Sequence, residues 1–342
     1  MPNISNPSLG REFEQISLTK WINQIDVQYD LISRMGLFKP ERINTTVAAV
    51  EKRDTQTQLV LARPRDTKDQ FLKQGIETNR DLVYFEVPHI PVDDVIQVSD
   101  LQNVRALGTD RLTTVRELIQ RRLTEAKTNI QQTIEYFQLG ALQGRLLNTD
   151  GSLLGPNYDF FNAFNVTQTE IQFKLGTAST ETRKKCTEAT RAIDKAAGGD
   201  RVTMYTAFAS DTFFDAFVNH PNTKNAYANY QAATERLGGD VRTGFKFGGI
   251  NWISYNPVVK GPSGTNVDFL PEGEAIIFPE GTRNIFQNVI APAHTMDTVN
   301  TIGLDFYARS WSSLDGQKVH LRSEANQFPV CANPAVLIKA IL

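Results

Sequence analysis

Between residues 111 and 147 apolar side chains recur at steps of three and four. Val115, Ile119, Leu123, Ala126, Ile130, Ile134, Phe137 and Ala141 fall on one face of a helix. Arg121, Glu125, Gln132 and Glu135 occupy the opposite side, and no proline interrupts residues 92–155. The pattern predicts one helix of about 36 residues, roughly 54 Å long, against the usual three turns. Gly140 and Gly144 weaken its last turns. The charged side suggests a packing element, with no chemistry on it.

Period two takes over upstream. Ile43, Thr45, Val47 and Ala49 alternate with polar positions, Gln58 to Ala62 continues the extended pattern, and Leu82 to Val87 reads as a returning strand. The tip between them is charged and turn-prone: Arg63, Arg65, Asp66, Lys68, Asp69 and Lys73, with Pro64 and Gly75. A two-stranded ribbon is marginal alone, so residues 41–95 need support, for which a neighbouring subunit is a good candidate. Residues 1–40 hold too few core positions to fold alone and read either as a frayed terminus or as an arm that orders only against a neighbour.

Downstream, Asp150-Gly151 between apolar residues signals a hairpin. Thr182 to Ala197 is amphipathic and stops at Gly198-Gly199. Arg201 to Thr206 reads as a strand. Ser210-Asp211 opens a helix to Asn219, His220-Pro221-Asn222 breaks it, and another helix is expected over 223–236. Short strands follow at 245–247, 251–255, 275–278, 304–308 and 335–341, punctuated by prolines.

The chain has 342 residues, 40% of them hydrophobic and 22% charged, with a net charge of −2. That length suits one large domain or two to three smaller ones. The charge balance argues against a dedicated nucleic-acid binder and fits a protein that meets copies of itself. Two distant cysteines suggest a reduced, cytoplasmic history. No 18-residue apolar run predicts a membrane span, and residues 1–20 do not read as a secretory signal.

Catalytic and metal motifs are hard to find. His89, His220, His294 and His320 lack ligand spacing, and neither a phosphate-binding glycine loop nor a nucleophile elbow occurs. His89 reads as a packing residue and His220 as facing solvent or a neighbouring loop. Cys186 lies beside Lys184 and Lys185, which can activate a thiol, yet a structural role fits its helical pattern better. Asp93 and Asp94 point to opposite faces of an extended segment, which is poor geometry for paired acid–base work. The loop tip mixes Asp66 and Asp69 with its cations and suits protein contacts better than a phosphate track; a solvated loop is the plain alternative. No cofactor is implied.

An ordered series of strings carries a resemblance. It runs from Phe85-Glu86-Val87-Pro88-His89-Ile90-Pro91-Val92-Asp93-Asp94 through Leu101-Gln102-Asn103-Val104-Arg105-Ala106-Leu107-Gly108-Thr109 to Gly140-Ala141-Leu142-Gln143-Gly144. Phe245-Lys246-Phe247-Gly248-Gly249-Ile250, Ala275-Ile276-Ile277-Phe278-Pro279-Glu280-Gly281-Thr282, Ala291-Pro292-Ala293 and Thr298-Val299-Asn300-Thr301 complete it. Over residues 40–342 the chain resembles the lambda E-type family of tailed-phage major capsid proteins. It departs from that pattern at His294, where the family usually has an acid, and at Ala325-Asn326-Gln327-Phe328, where it often reads Ser-Asn-Pro-Leu.

The resemblance implies an α+β fold of the Hong Kong 97 type: an N-terminal arm (1–40), an extended loop (41–95), a peripheral domain (96–178 and 282–325) with the long helix as spine, and an axial domain (179–281 and 326–342). It implies a structural, non-enzymatic protein of the virion capsid, assembled in the host bacterial cytoplasm as hexamers and pentamers of an icosahedral shell around double-stranded DNA. A portal protein and a decoration protein are implied as partners. With only about 40 residues before the extended loop, a separate scaffolding protein is expected. An encapsulin-like bacterial compartment is the alternative reading, and an unrelated α/β enzyme a more distant one.

Overall fold

The computed structural model describes residues 15–25, 31–51, 82–100, 102, 114–224, 226–227, 244–255, 257–261, 264 and 266–342. The chain divides into two compact units, each assembled from separated segments. The first comprises Met1–Ala48, Tyr84–Leu139 and Gln287–Val330; the second comprises Ala49–Val83, Gly140–Phe286 and Cys331–Leu342.

In chain order, helices α1 (Gln15–Gln24) and α2 (Leu31–Met35) precede strands β1 (Lys39–Arg42), β2 (Val47–Glu51), β3 (Leu82–Glu86) and β4 (Ile90–Gln97). The long helix α3 (Val115–Leu142) follows, then the short α4 (Phe160–Ala163), β5 (Thr169–Gln172), α5 (Thr182–Ala197), β6 (Met204–Ala209) and α6 (Asp211–Asn219). Strands β7 (Phe245–Phe247), β8 (Ile250–Ser254), β9 (Val258–Lys260), β10 (Asn266–Asp268), β11 (Glu274–Glu280) and β12 (Phe286–Ile290) come next. β13 (Tyr307–Ser312), β14 (Lys318–Ala325), β15 (Gln327–Cys331) and β16 (Ile338–Ile341) close the chain.

In the first unit, β14 is the middle strand of an antiparallel sheet ordered β13-β14-β4. Strand β1 runs parallel to β12, which also neighbours β15. Helix α3 opens on a reciprocal cap: the Thr114 N–H donates to the Glu117 carboxylate and the Glu117 N–H donates to Thr114 Oγ1. Its predicted apolar face is buried from Ile119 to Ala141, with Ile119, Leu123 and Ile130 at 0–1% exposure, while Val115 in the first turn is exposed. The helix measures 28 residues, about 42 Å at ~1.5 Å per residue. It stops earlier than the periodicity predicts because Gly144, at φ 80°, turns the chain left-handed. The Arg145 N–H then closes on Gly140 O and the Gly144 N–H on Ala141 O, the hydrogen-bond pair of a Schellman stop.

Two expectations for this unit are corrected. Glu135 does not face water: it is 3% exposed, and its carboxylate accepts the Ile32 N–H at the start of α2. Nor do residues 15–25 await a neighbour. Leu18 and Ile22 are buried, Thr19 Oγ1 exchanges hydrogen bonds with the Ala308 backbone, and Asn23 donates to Phe306 O. The 4%-exposed Lys127 of α3 donates to Ile22 O and Ile25 O at the C-terminal end of α1 and lies 4.8 Å from the Phe306 ring centre. A cation there also meets the negative end of the α1 dipole.

The second unit is built on a mixed six-stranded sheet, β5-β16-β11-β6-β8-β7. Helix α5 covers the predicted range and ends at Gly198 in the left-handed region. Its core is aromatic: Trp252, Phe173, Phe213 and Phe217 are fully buried, with the Trp252 and Phe217 rings 4.4 Å apart. The Asp150-Gly151 turn forms as predicted, with Gly151 at φ 83° and the Asn148 N–H bonded to Ser152 O.

Candidate assembly surfaces and buried polar groups

Strands β2 and β3 pair as the root of the ribbon. The inward residues are Ala48, Val50 and Phe85, one position out of step with the predicted Val47 and Ala49. Phe85 decides the register, since its ring packs 5.1 Å from Phe328 in the core; a one-residue slip would expose it. The other side of the root carries Val47, Leu82 and Tyr84, 45–59% exposed. Beyond the root, residues 52–81 lie outside the described residues, and with them Arg63, Arg65, Asp66, Lys68, Asp69 and Lys73.

The segment after β3 does more than return the ribbon, because β4 joins β14 over its whole length. Asp93 and Asp94 point to opposite faces, as expected, and each has its own arginine. Asp94 meets Arg122 of α3 at 3.3 Å. Asp93 sits directly across from Arg322 and takes a two-pronged hydrogen bond at 2.5 and 2.6 Å. That bond, helped by the charges of Arg322, Arg309 and His89 and opposed by burial, holds the Asp93 carboxyl below its ordinary range.

A lowered carboxyl pKa adds stability above the unfolded-state value, and the gain is lost as pH falls through the folded value. Arg322→Gln should therefore cost about 0.5–1 kcal/mol at neutral pH, small because both groups are partly exposed. It should also return Asp93 to the ordinary carboxylate range. Carboxyl-detected NMR titration and urea melts at several pH values measure both effects. An Asp93 titration unchanged by Arg322→Gln would refute the pairing.

The histidines divide into two environments. His89 Nδ1 is 2.8 Å from Asn326 Oδ1, its Nε2 is 3.7 Å from the buried Glu324, and its ring lies 6.4 Å from that of His294. Of the residues that depart from the family pattern, His294 is exposed, whereas the 325–328 segment is built into the core: Asn326 also donates to Pro292 O, Gln327 to Asp305 O, and Phe328 is fully buried. His220 does not face solvent. It is 2% exposed, with Nε2 3.1 Å from Thr177 O and Nδ1 accepting the Asn222 N–H. The turn that breaks the helix at Pro221 is therefore pinned from inside.

Cys186 and Cys331 are buried thiols, and burial pushes both up to about 12. Cys186 fills the space beneath Gly248, where an added Cβ would lie 2.5 Å from the cysteine Cβ. The neighbouring lysines do not activate it. Iodoacetamide at pH 8 should label neither cysteine in the folded protein and both after denaturation, a difference that peptide mass spectrometry reads directly. Labelling of Cys186 in the native state would contradict its structural role.

Among the described residues, no group of three or more His, Cys, Asp or Glu side chains is placed to hold a metal ion, and no helix is long and apolar enough to cross a membrane. What the geometry offers instead is a ribbon root with one apolar side in water, an anchored long helix, and a sheet whose strands β4 and β14 are tied by the Asp93–Arg322 ion pair.

Comparison with known proteins agrees with that picture. Over 346 aligned residues, covering 97% of this chain and 98% of the relative, the sequence is 29% identical to the major capsid protein of Pseudomonas phage KPP10. Among solved structures, the proposed capsid protein of an Escherichia coli CFT073 prophage superposes with a TM-score of 0.59 at 11% identity, covering 96% of this chain and 99% of that one. A chain of the mature bacteriophage PhiM1 capsid gives 0.51 at 13% identity, with 93% and 89% covered. These likenesses identify the fold as the Hong Kong 97 type. The profile of the family described as phage major capsid protein E matches residues 14–342, and the chain, a structural protein of the tailed-phage capsid, belongs to that family.

Proposed function

We propose that copies of this chain form hexamers and pentamers that close into an icosahedral shell around double-stranded DNA, assembled in the cytoplasm of a bacterial host. The observation that carries this reading is the family match across residues 14–342. In this arrangement residues 1–40 act as the arm, 41–95 as the extended loop, 96–178 and 282–325 as the peripheral domain, and 179–281 with 326–342 as the axial domain. The loop lies across an adjacent subunit, with Arg63, Arg65, Asp66, Lys68, Asp69 and Lys73 at the contact. The apolar side of the ribbon root, Val47, Leu82 and Tyr84, supports this, because a partner surface there removes it from water. Mixed-charge contacts repeated around each capsomer add up although each is weak.

A separate scaffolding protein sets shell size, a portal protein occupies one vertex and a decoration protein binds outside. The net charge of −2 keeps the inner wall from gripping DNA that must later leave. Electron microscopy of the purified full-length protein, with and without a co-expressed scaffolding protein, tests the reading. Closed particles tens of nanometres across are expected, and a monomer at every concentration and in both preparations would overturn it.

A further inference from the structure

Between β3 and β4 the chain passes from the ribbon root to the sheet through Val87, Pro88 and His89. Val87 is buried and its N–H donates to Thr46 O. His89 directly precedes Ile90, which pairs with Ala325 of β14. The His89 side chain is 39% exposed, so protons reach it from water, whereas the Glu324 side chain beside it is only 4% exposed.

The hydrogen bonds around the imidazole fix where its proton sits. Asn326 Nδ2 donates to Pro292 O, which turns Asn326 Oδ1 toward the ring. An amide oxygen only accepts, so His89 Nδ1 is the donor across 2.8 Å. In the neutral ring Nε2 then carries a bare lone pair. It faces Glu324 Oε2 at 3.7 Å, beyond hydrogen-bond reach. The other carboxylate oxygen, Oε1, has no hydrogen-bond partner among the described residues. One hydrogen is missing between a lone pair and a buried carboxylate, and leaving such a group unpaired is costly.

The surrounding charges come from every strand of the sheet. Asp93 of β4 and Arg322 of β14 hold each other's charge through their hydrogen bonds. Arg309 of β13 stands across from Arg322. Tyr307 stands across from Glu324, with its hydroxyl pushed up by burial and Arg42 of β1 acting on it. His294 brings a second imidazole, 6.4 Å from that of His89.

We propose that His89 and Glu324 form a proton-binding site at the base of the ribbon: one proton on His89 Nε2 closes the pair and ties residues 87–89 to β14, and its loss releases them. The proton belongs to the pair as a unit. Histidine changes charge between about pH 5 and 8, so the tie is present at the acid end of that range and lost toward the alkaline end. The proposal concerns the single chain and stands apart from the shell-forming reading.

Amide hydrogen exchange of a peptide covering residues 85–92, read by mass spectrometry on the full-length protein at pH 6 and pH 8, tests it. Glu324→Gln is the reference, because its side-chain amide offers Nε2 a hydrogen at either pH. Comparing two proteins at one pH removes the intrinsic pH dependence of exchange. The wild-type peptide should match the variant at pH 6 and exchange about fivefold faster at pH 8, the share of one hydrogen bond. His89→Gln should remove that pH-dependent part, and His294→Asn should keep it. If Glu324→Gln melts early, His89→Gln becomes the reference, and the wild-type rate relative to it should still rise from pH 6 to pH 8. The same ratio at both pH values overturns the proposal, as does a pH dependence that survives His89→Gln or vanishes with His294→Asn.

Discussion

Trp252→Ala is expected to destabilise the protein by about 3–5 kcal/mol, the range for emptying a large aromatic site in a close-packed core. The indole is fully buried, with ring centroids 4.4 Å from Phe217, 5.7 Å from Phe173 and 5.9 Å from Phe213. Its Nε1 donates to Phe247 O at 3.3 Å, so truncation also strips a buried carbonyl of its partner. Phe213 and Phe217 belong to α6 and Phe173 directly follows β5, and rings held on two separate segments cannot collapse together to refill the hole. Because whole domains are stable by only about 5–15 kcal/mol, the variant should express poorly at 37 °C and unfold at a markedly lower urea midpoint. Trp252→Phe keeps most of the volume and should lose less than half as much. A midpoint for Trp252→Ala within experimental error of the parent would mean that the aromatic cluster does not organise this unit.

Gly144→Ala should come next, at about 2–5 kcal/mol. The backbone at φ 80° charges any L side chain about 1–2 kcal/mol, and the new Cβ would overlap the Phe161 ring, adding about 1–3 kcal/mol of overpacking. Gly151→Ala separates the two contributions. Gly151 has a similar φ of 83° but nothing within 4 Å of its added Cβ, so only the backbone penalty applies there. Urea melts of the two variants should differ by the steric share alone. Equal losses would show that Phe161 swings aside at no cost.

The two glycines also show how far sequence reasoning reaches. Asp150-Gly151 was legible because a tight turn depends on adjacent residues. Gly144 looked like a weak spot in a helix and is instead its stop, since the reason for it, Phe161, arrives only with the tertiary fold. The apolar face of α3 and the whole of α5 were legible for the same local reason: a periodic stripe buries itself wherever it lands. Lys127 and Glu135 carry no such mark. Their partners, Ile22, Ile25 and Ile32, lie about a hundred residues away, and charge alone predicts exposure. His220 was misplaced in the same way. The strand expected over Leu304 to Ala308 begins only at Tyr307, because Gly303 is tied to Ile43 O and the Leu304 N–H to the Tyr307 hydroxyl. The proposed contact residues of the loop tip depend on a partner surface that a single chain does not contain, so no pattern within the chain could rank them.

The pairing of β4 with β14 bears on how the protein is made. Gln97 and Lys318 are partners in the sheet but stand 221 positions apart in the chain. At about 5–20 residues per second, a ribosome needs roughly 10–45 s to supply the second after the first. Throughout that interval β4 has left the exit tunnel with both backbone edges open, and its buried Ile96 has nothing to cover it. A strand waiting in this state invites pairing with the wrong chain. Closely spaced nascent chains on one message should therefore be the hazard in producing this subunit, and slowing initiation should raise soluble yield more than slowing elongation.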